Sequence, residues 1–409
     1  MNVRRSAAAL AATAVLATAA PAVAASPSPS PSTAVPDGLY GSADPTYDGV
    51  WRQSLTLLAQ REQGVEPAAT AVDWLVGQQC ANGAFPAFRA DPAQACDAKV
   101  MVDTNSTAVA AQALAGNDKA VSKALAWLRS VQNTDGGWGY TEGGASDANS
   151  TSVVIGAFRS AGRSVTEVEK DGHTPSDALL ELALPCTGDG AGAFAYQPGK
   201  KGELTANADA TAAAVLSAFG GQPGAVVPGA DQASTSCAKP GDLTRAARNG
   251  AAYLVGAMGE DAHLMSALPG SEDQPDFGNT ADAVVALSAA GFTSEAAASA
   301  RWLAANSLEW AGQSGPAAYA QLVFAARAAG LDPRAFGGED LIALLDATGP
   351  KPASVPAAKG TGAAGDKEKD KKEDEDGGGV GVWWIVGVGL VGGIGIGFLL
   401  SGRTRKRQP

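Results

Sequence analysis

The chain is poor in the residues that most often ligate metals or act as nucleophiles. It holds 2 His and 4 Cys in 409 residues, and cysteines of an exported chain are better spent as disulfides than as zinc ligands. No metal or intrinsic cofactor is expected. Positive charge is also scarce, with 30 Lys and Arg against 42 Asp and Glu and a net charge of −12. That balance excludes nucleic acid as a partner, because phosphate recognition needs a basic surface. Aromatics make up 6% of residues, so the places where they cluster carry information.

The two ends of the chain have compositions of their own. Residues 1–25 carry Arg4 and Arg5, then an Ala/Leu/Val run, then Val23-Ala24-Ala25, the layout of a secretory signal. A Ser/Pro spacer, 26–36, follows; it cannot continue a helix. Residues 349–379 turn from Pro/Ala/Gly to Asp366-Lys-Glu-Lys-Asp-Lys-Lys-Glu-Asp-Glu-Asp, which has nothing to bury and reads as a disordered stalk. Residues 380–400 form an uncharged apolar run of about the 20 residues that cross a bilayer. The basic tail 401–409, with Arg403, Arg405, Lys406 and Arg407, should stay in the cytoplasm and leave residues 37–348 outside the cell. Gly389, Gly393 and Gly397 make a small-residue stripe suited to a partner helix in the membrane. In an exported chain, four cysteines read most simply as two disulfides. The order Cys80–Cys96 and Cys186–Cys237 is favoured over the other two connectivities, since each pair brackets a loop beyond a helix end.

Between those ends the sequence repeats. Ala124, Trp127, Leu128 and Val131 share one helical face, and Gln132-Asn133-Thr134-Asp135-Gly136-Gly137-Trp138 ends that helix in turn chemistry. Val72, Trp74, Leu75, Gln78, Gln79, Asn82, Gly83 and Phe85 reproduce the pattern upstream, and Tyr253-Leu254 and Trp302-Leu303 echo it downstream. A second series alternates with the first, opening at Asp103, Asp147, Ala206 and Gly278 with Asp/Asn/Thr chemistry and running into small apolar residues. Helices apolar all round must be enclosed by protein, whereas helices with a charged face can lie outside. Inner helices are therefore expected near Tyr47, Asp103, Asp147, Ala206, Asn279 and Pro316, and outer ones near Pro67, Asp118, Pro175, Asp242, Ser294 and Gly338. The expected fold class is all-α, an (α/α)6 toroid of six inner and six outer helices forming one domain.

The Gln-Asp-Gly-Gly-Trp turn resembles the QW repeat of the terpenoid cyclase and protein prenyltransferase superfamily. That resemblance implies a toroid in which the Gln amide bonds to a neighbouring helix terminus, with a functional mouth where the inner helices begin. Squalene-hopene-type cyclases carry Asp-x-Asp-Asp-Thr-Ala there, with the middle Asp as acid. Asn207-Ala-Asp209-Ala-Thr211-Ala keeps the middle Asp and lacks the flanking carboxyls. Prenyltransferase β-subunits hold zinc at that mouth through Asp, Cys and His, and neither His173 nor His263 belongs to an inner-helix start. Asp103-Thr104, Thr107-Ala108 and Ala111 to Leu114 are similar to the cobalamin-binding intrinsic factor and transcobalamin helical domain.

The expected site is thus the mouth, where helix N-termini converge, with Asn105, Asn149, Asn207, Asp209, Asn279 and Asp282 as ligand-binding candidates. The same asparagines also suit helix capping. The expected function is a cell-surface module, anchored by a single membrane span, that binds a small, bulky or partly apolar ligand. A corrinoid in an uptake system is one such ligand, and a transporter or a membrane helix one such partner. The alternative is an enzyme acting on an isoprenoid, with Asp209 as its acid.

Overall fold

The computed structural model describes residues 35–220, 236–266 and 274–355. The chain divides into two units, 1–32 and 33–409, and every described residue belongs to the second. The expected signal peptide, most of the spacer, the stalk beyond Val355, the 380–400 span and the basic tail lie outside the described residues. Among the described residues, no helix is long and apolar enough to cross a membrane.

The described chain is all-α apart from two short ladders. Six helices are buried on most of their surface: α1 (Gly49–Glu62), α3 (Thr104–Ala113), α5 (Ala148–Ser160), α7 (Ala208–Phe219), α9 (Phe277–Ala289) and α12 (Pro316–Ala328). They alternate with α2 (Ala69–Gly77), α4 (Asp118–Ser130), α6 (Pro175–Glu181), α8 (Leu243–Met258), α10 (Thr293–Asn306) and α13 (Leu341–Asp346). These bury one face; in α4 it is Ala120, Ala124, Leu125, Trp127 and Leu128, the helical spacing read from the sequence. The expected helix starts therefore hold to within a few residues. A seventh partly exposed helix, α11 (Leu308–Ser314), was not anticipated.

The buried helices pack in succession: α1 on α3, α3 on α5, α5 on α7, α7 on α9, α9 on α12, and α12 back on α1. Each partly exposed partner lies against the buried helix before it. Alanines along α7, all buried from Ala212 to Ala214, let both neighbours approach closely. At the far ends of the helices, Arg61 of α1 donates to the Ala113 carbonyl, and Arg159 of α5 to the Ser217 and Gly220 carbonyls. A cation there neutralises the negative end of a helix dipole. The first and last repeats are clasped by Gly41 N–H to Thr348 O at 2.9 Å, Tyr40 Oη to Pro350 O at 2.7 Å and Gln60 Nε2 to Asp346 Oδ1.

The repeat turns are the joints of this packing. Trp138 is fully buried and donates its indole N–H to Leu128 O at 2.7 Å. Gln132 Nε2 closes the turn on Gly136 O at 2.8 Å, while Gln79 Nε2 reaches both Gly83 O and, across to α4, Ala120 O at 2.9 Å. Gly136 has φ +86°, and a Cβ there would lie 2.3 Å from Thr174 O, at the start of α6. Only glycine permits so close an approach at positive φ. After the turns come two antiparallel ladders, β1 (Phe85–Pro86) with β2 (Val102–Asp103), and β3 (Phe194–Ala195) with β4 (Ala206–Asn207). Disulfides join Cys80 to Cys96 and Cys186 to Cys237.

Candidate functional site

Four of the buried helices begin in the same way. Asp103, Asp147, Asn207 and Asp276 occupy the N-caps of α3, α5, α7 and α9, and their side-chain oxygens accept from Ser106, Ser150, Ala210 and Asn279 N–H at 2.6 to 3.1 Å. Of the asparagines expected to cap or to bind, only Asn207 is a cap. Four residues after each cap stands a buried threonine: Thr107, Thr151, Thr211 or Thr280. Its hydroxyl accepts the N–H of the residue that follows the preceding turn, Phe85, Trp138, Phe194 or Leu264, at 2.9 to 3.1 Å. In three of the four it also donates to the cap carbonyl. This threonine, visible in the sequence as Asp/Asn-x-x-x-Thr, is what locks each turn onto its helix.

At this end a cavity of about 1120 Å³ opens. Trp51 of α1, Asn105 of α3, Asn149 of α5, Asn279 of α9, Trp310 of α11 and Gln321 of α12 line it, joined by loop residues Phe88, Met101, Tyr140 and Tyr196. Tyr47, Met101 and Tyr140, three of the exposed large apolar side chains, are at its edge. Phe277 stacks on Trp310 with ring centroids 5.6 Å apart, and Trp302 and His263 extend that stack outward. Reading the sequence missed this aromatic lining. A signal was present, since Tyr140 and Tyr196 each stand two residues after the buried aromatic of a turn, Trp138 and Phe194.

The expected site residues divide into two groups. Asn105, Asn149 and Asn279 line the cavity. Asp209 and Asp282 are 4% and 1% exposed and stand outside the lining, and Asn207 serves α7. Asp209 Oδ2 accepts Asn149 Nδ2 at 2.7 Å, and Asp282 accepts Gln321 Nε2 at 3.2 Å. Each carboxyl that had to find a partner in an apolar helix start has therefore found an amide. Burial pushes the Asp209 carboxyl up to about 7, with the charges of Asp276 and Asp147 adding and the Asn149 bond opposing. Burial, then Asp209, holds Asp282 well above the ordinary carboxylate range. The capping carboxyls Asp103 and Asp147 rise only to about 6, because serine N–H bonds oppose their burial.

Arg89 is buried beside the cavity, yet its guanidinium is spent on the carbonyls of Gly77, Gln78, Gln79, Pro92 and Gln94. Among the described residues, no group of three or more His, Cys, Asp and Glu could hold a metal ion. The arrangement offers an apolar, aromatic chamber with a rim of oxygen acceptors.

No family model matches the chain, and no curated protein matches it. Among solved structures, a protein from Actinoplanes is similar at 19% identity and a TM-score of 0.41, over 66% of this chain and 75% of that one. A likeness of that degree carries nothing over.

Proposed function

We propose that residues 37–348 form an (α/α)6 toroid, carried on the outer face of the cell by a single C-terminal span, that binds a bulky, partly apolar ligand at the mouth of its inner helices. The cycle of contacts from α1 through α12 and back supports the toroid. The two disulfides support an oxidising, extracellular setting. The observation that carries the binding role is the aromatic-lined cavity of about 1120 Å³ at the N-terminal end of those helices, since concave, mostly apolar sites with a few polar groups are where small molecules bind. A corrinoid, bulky and fringed with carboxamides, is the first ligand to try, with a membrane transporter as the corresponding partner.

A second reading keeps Asp209 as an acid. Its carboxyl, raised to about 7, would be protonated in a good fraction of molecules at neutral pH, as an acid catalyst requires. Against it, Asp209 is not on the cavity lining, and its Oδ2 is held by Nδ2 of Asn149, which is. Incubating the full-length protein with a corrinoid, squalene and prenyl diphosphates, followed by mass spectrometry, separates the two. Retention of an unmodified ligand, lost in Trp310→Ala, supports binding; a cyclised or transferred product that disappears in Asp209→Asn overturns it. Protease shaving of intact cells tests the topology, which fails if well-exposed cells release no domain.

A further inference from the structure

Helix N-termini gathered at one mouth ordinarily attract anions, because free N–H groups and about half a positive charge meet the ligand there. In α3 and α5 those groups are already taken. Thr104 N–H of α3 goes to Tyr140 O at 2.8 Å and Ala148 N–H of α5 to Tyr196 O at 3.0 Å, and the third amide of each helix goes to its cap. Three of the caps are Asp103, Asp147 and Asp276, all on the cavity lining. One carboxylate outweighs a dipole of about half a charge, so each of these ends turns net negative. The lining also holds Asp48 and Asp91 against Arg89 and Lys99. Asp48 is paired with Arg52 at 3.1 Å, and Arg89 is engaged with carbonyls, which leaves exposed Lys99 facing Asp91 and the three caps.

Among the described residues, of the four buried polar atoms on the lining that lack a hydrogen-bond partner, one is a donor, Trp51 Nε1, and three are amide oxygens. Asn105 and Asn149, 7% and 1% exposed, both line the cavity, and the Oδ1 of each is buried without a hydrogen-bond partner, as is Asn279 Oδ1. Asn279 Nδ2 donates to Asp276 Oδ2 at 2.7 Å and Asn149 Nδ2 to Asp209 Oδ2. These bonds occupy the amide nitrogens of Asn149 and Asn279 and leave the oxygens for a donor. An unsatisfied buried acceptor is costly, and Trp51, Trp310 and the tyrosines offer π-faces that attract cations.

We infer that the mouth selects an apolar body bearing a positively charged nitrogen, an organic ammonium, and rejects the equivalent anion. This rests on the binding role proposed above and specifies its ligand class. It also sets the site apart from one built for a prenyl diphosphate.

Three probes with one body test it: 1-adamantylammonium, 1-adamantanol and adamantane-1-carboxylate, titrated into the full-length protein by calorimetry. The ammonium should bind at least tenfold tighter than the carboxylate, with a margin that shrinks in high salt. Asn105→Leu should cut ammonium affinity by a larger factor than adamantanol affinity, because a bond to a charged donor is worth more than one to a hydroxyl, and Trp310→Ala should weaken both, in protein whose circular dichroism is unaltered. If the alcohol or carboxylate binds as tightly as the ammonium and Trp310→Ala still abolishes it, the inference falls while the binding role survives. If no probe binds folded protein, or binding ignores both Trp51→Ala and Trp310→Ala, the inference and the binding role fall together.

Discussion

Replacing Asp209 with Asn isolates the energetic consequence of putting a carboxyl into the apolar start of α7. In the unfolded chain the group ionises at its ordinary value of 3.8, and in the folded protein it holds its proton until about 7. Between those values the unfolded chain binds fewer protons than the folded one, so stability falls as pH rises. At about 1.4 kcal/mol per pH unit, the loss accumulates to about 4 kcal/mol by pH 7 and is constant above it. Asparagine has nearly the same shape, keeps an oxygen for Asn149 Nδ2, and does not titrate. Thermal and urea unfolding of the two proteins should therefore match, or slightly favour the wild type, near pH 4. By pH 8 the variant should be the more stable by up to about 4 kcal/mol. The comparison cancels the contribution of Asp103, which both proteins share, whereas Asp282, raised in part by the Asp209 charge, titrates lower in the variant and adds to its gain at high pH. A difference that stays flat from pH 4 to pH 8 would refute the reasoning and mean that the carboxyl is hydrated in the folded protein. A wild type that gains on the variant as pH rises would mean that a cation holds it ionised.

Other positions test the joints. Trp138→Ala should cost about 3 to 5 kcal/mol in chemical unfolding, the range for emptying a fully buried large aromatic site, and Trp138→Phe should cost less while forfeiting the bond to Leu128 O. Thr211→Val keeps the shape but leaves Phe194 N–H buried without its acceptor, a loss of about 1 to 3 kcal/mol; an unchanged melting temperature would argue that the threonine does not lock the turn. The Cys186–Cys237 disulfide spans 51 residues and Cys80–Cys96 spans 16, so serine pairs at those sites should lower stability by about 4 and about 3 kcal/mol respectively on the chain-entropy relation. Equal losses from the two pairs would show that loop length does not set the effect.

The sequence alone placed twelve helix starts to within a few residues and told which of those helices are enclosed. Those properties are local. The apolar spacing of Ala124, Trp127 and Leu128, the cap chemistry at Asp103 and Asp147, and the glycines at 83 and 136 act within one or two turns of chain, so they survive the loss of all tertiary context. Even so, local reading assigned the caps to the wrong residues at Asn105, Asn149 and Asn279. The aspartates at 103, 147 and 276 satisfy the same amides two or three residues earlier, and which residue caps depends on where the chain leaves the extended conformation.

Only the tertiary structure decided what faces the cavity. Asn149 and Asp209 are 60 residues apart in sequence, and it is the rotation of α5 against α7 that brings the amide forward and sets the carboxyl behind it. Trp310 reached the lining on α11, a helix whose seven residues carry too little periodicity to be seen beforehand. The clasp of Gly41 to Thr348 joins the two ends of the described helices across more than three hundred residues, and no window of sequence contains both partners. Capping and periodicity are properties of neighbouring residues. The sign and shape of the mouth depend on how six helices are rotated against one another, and that is settled only when they pack.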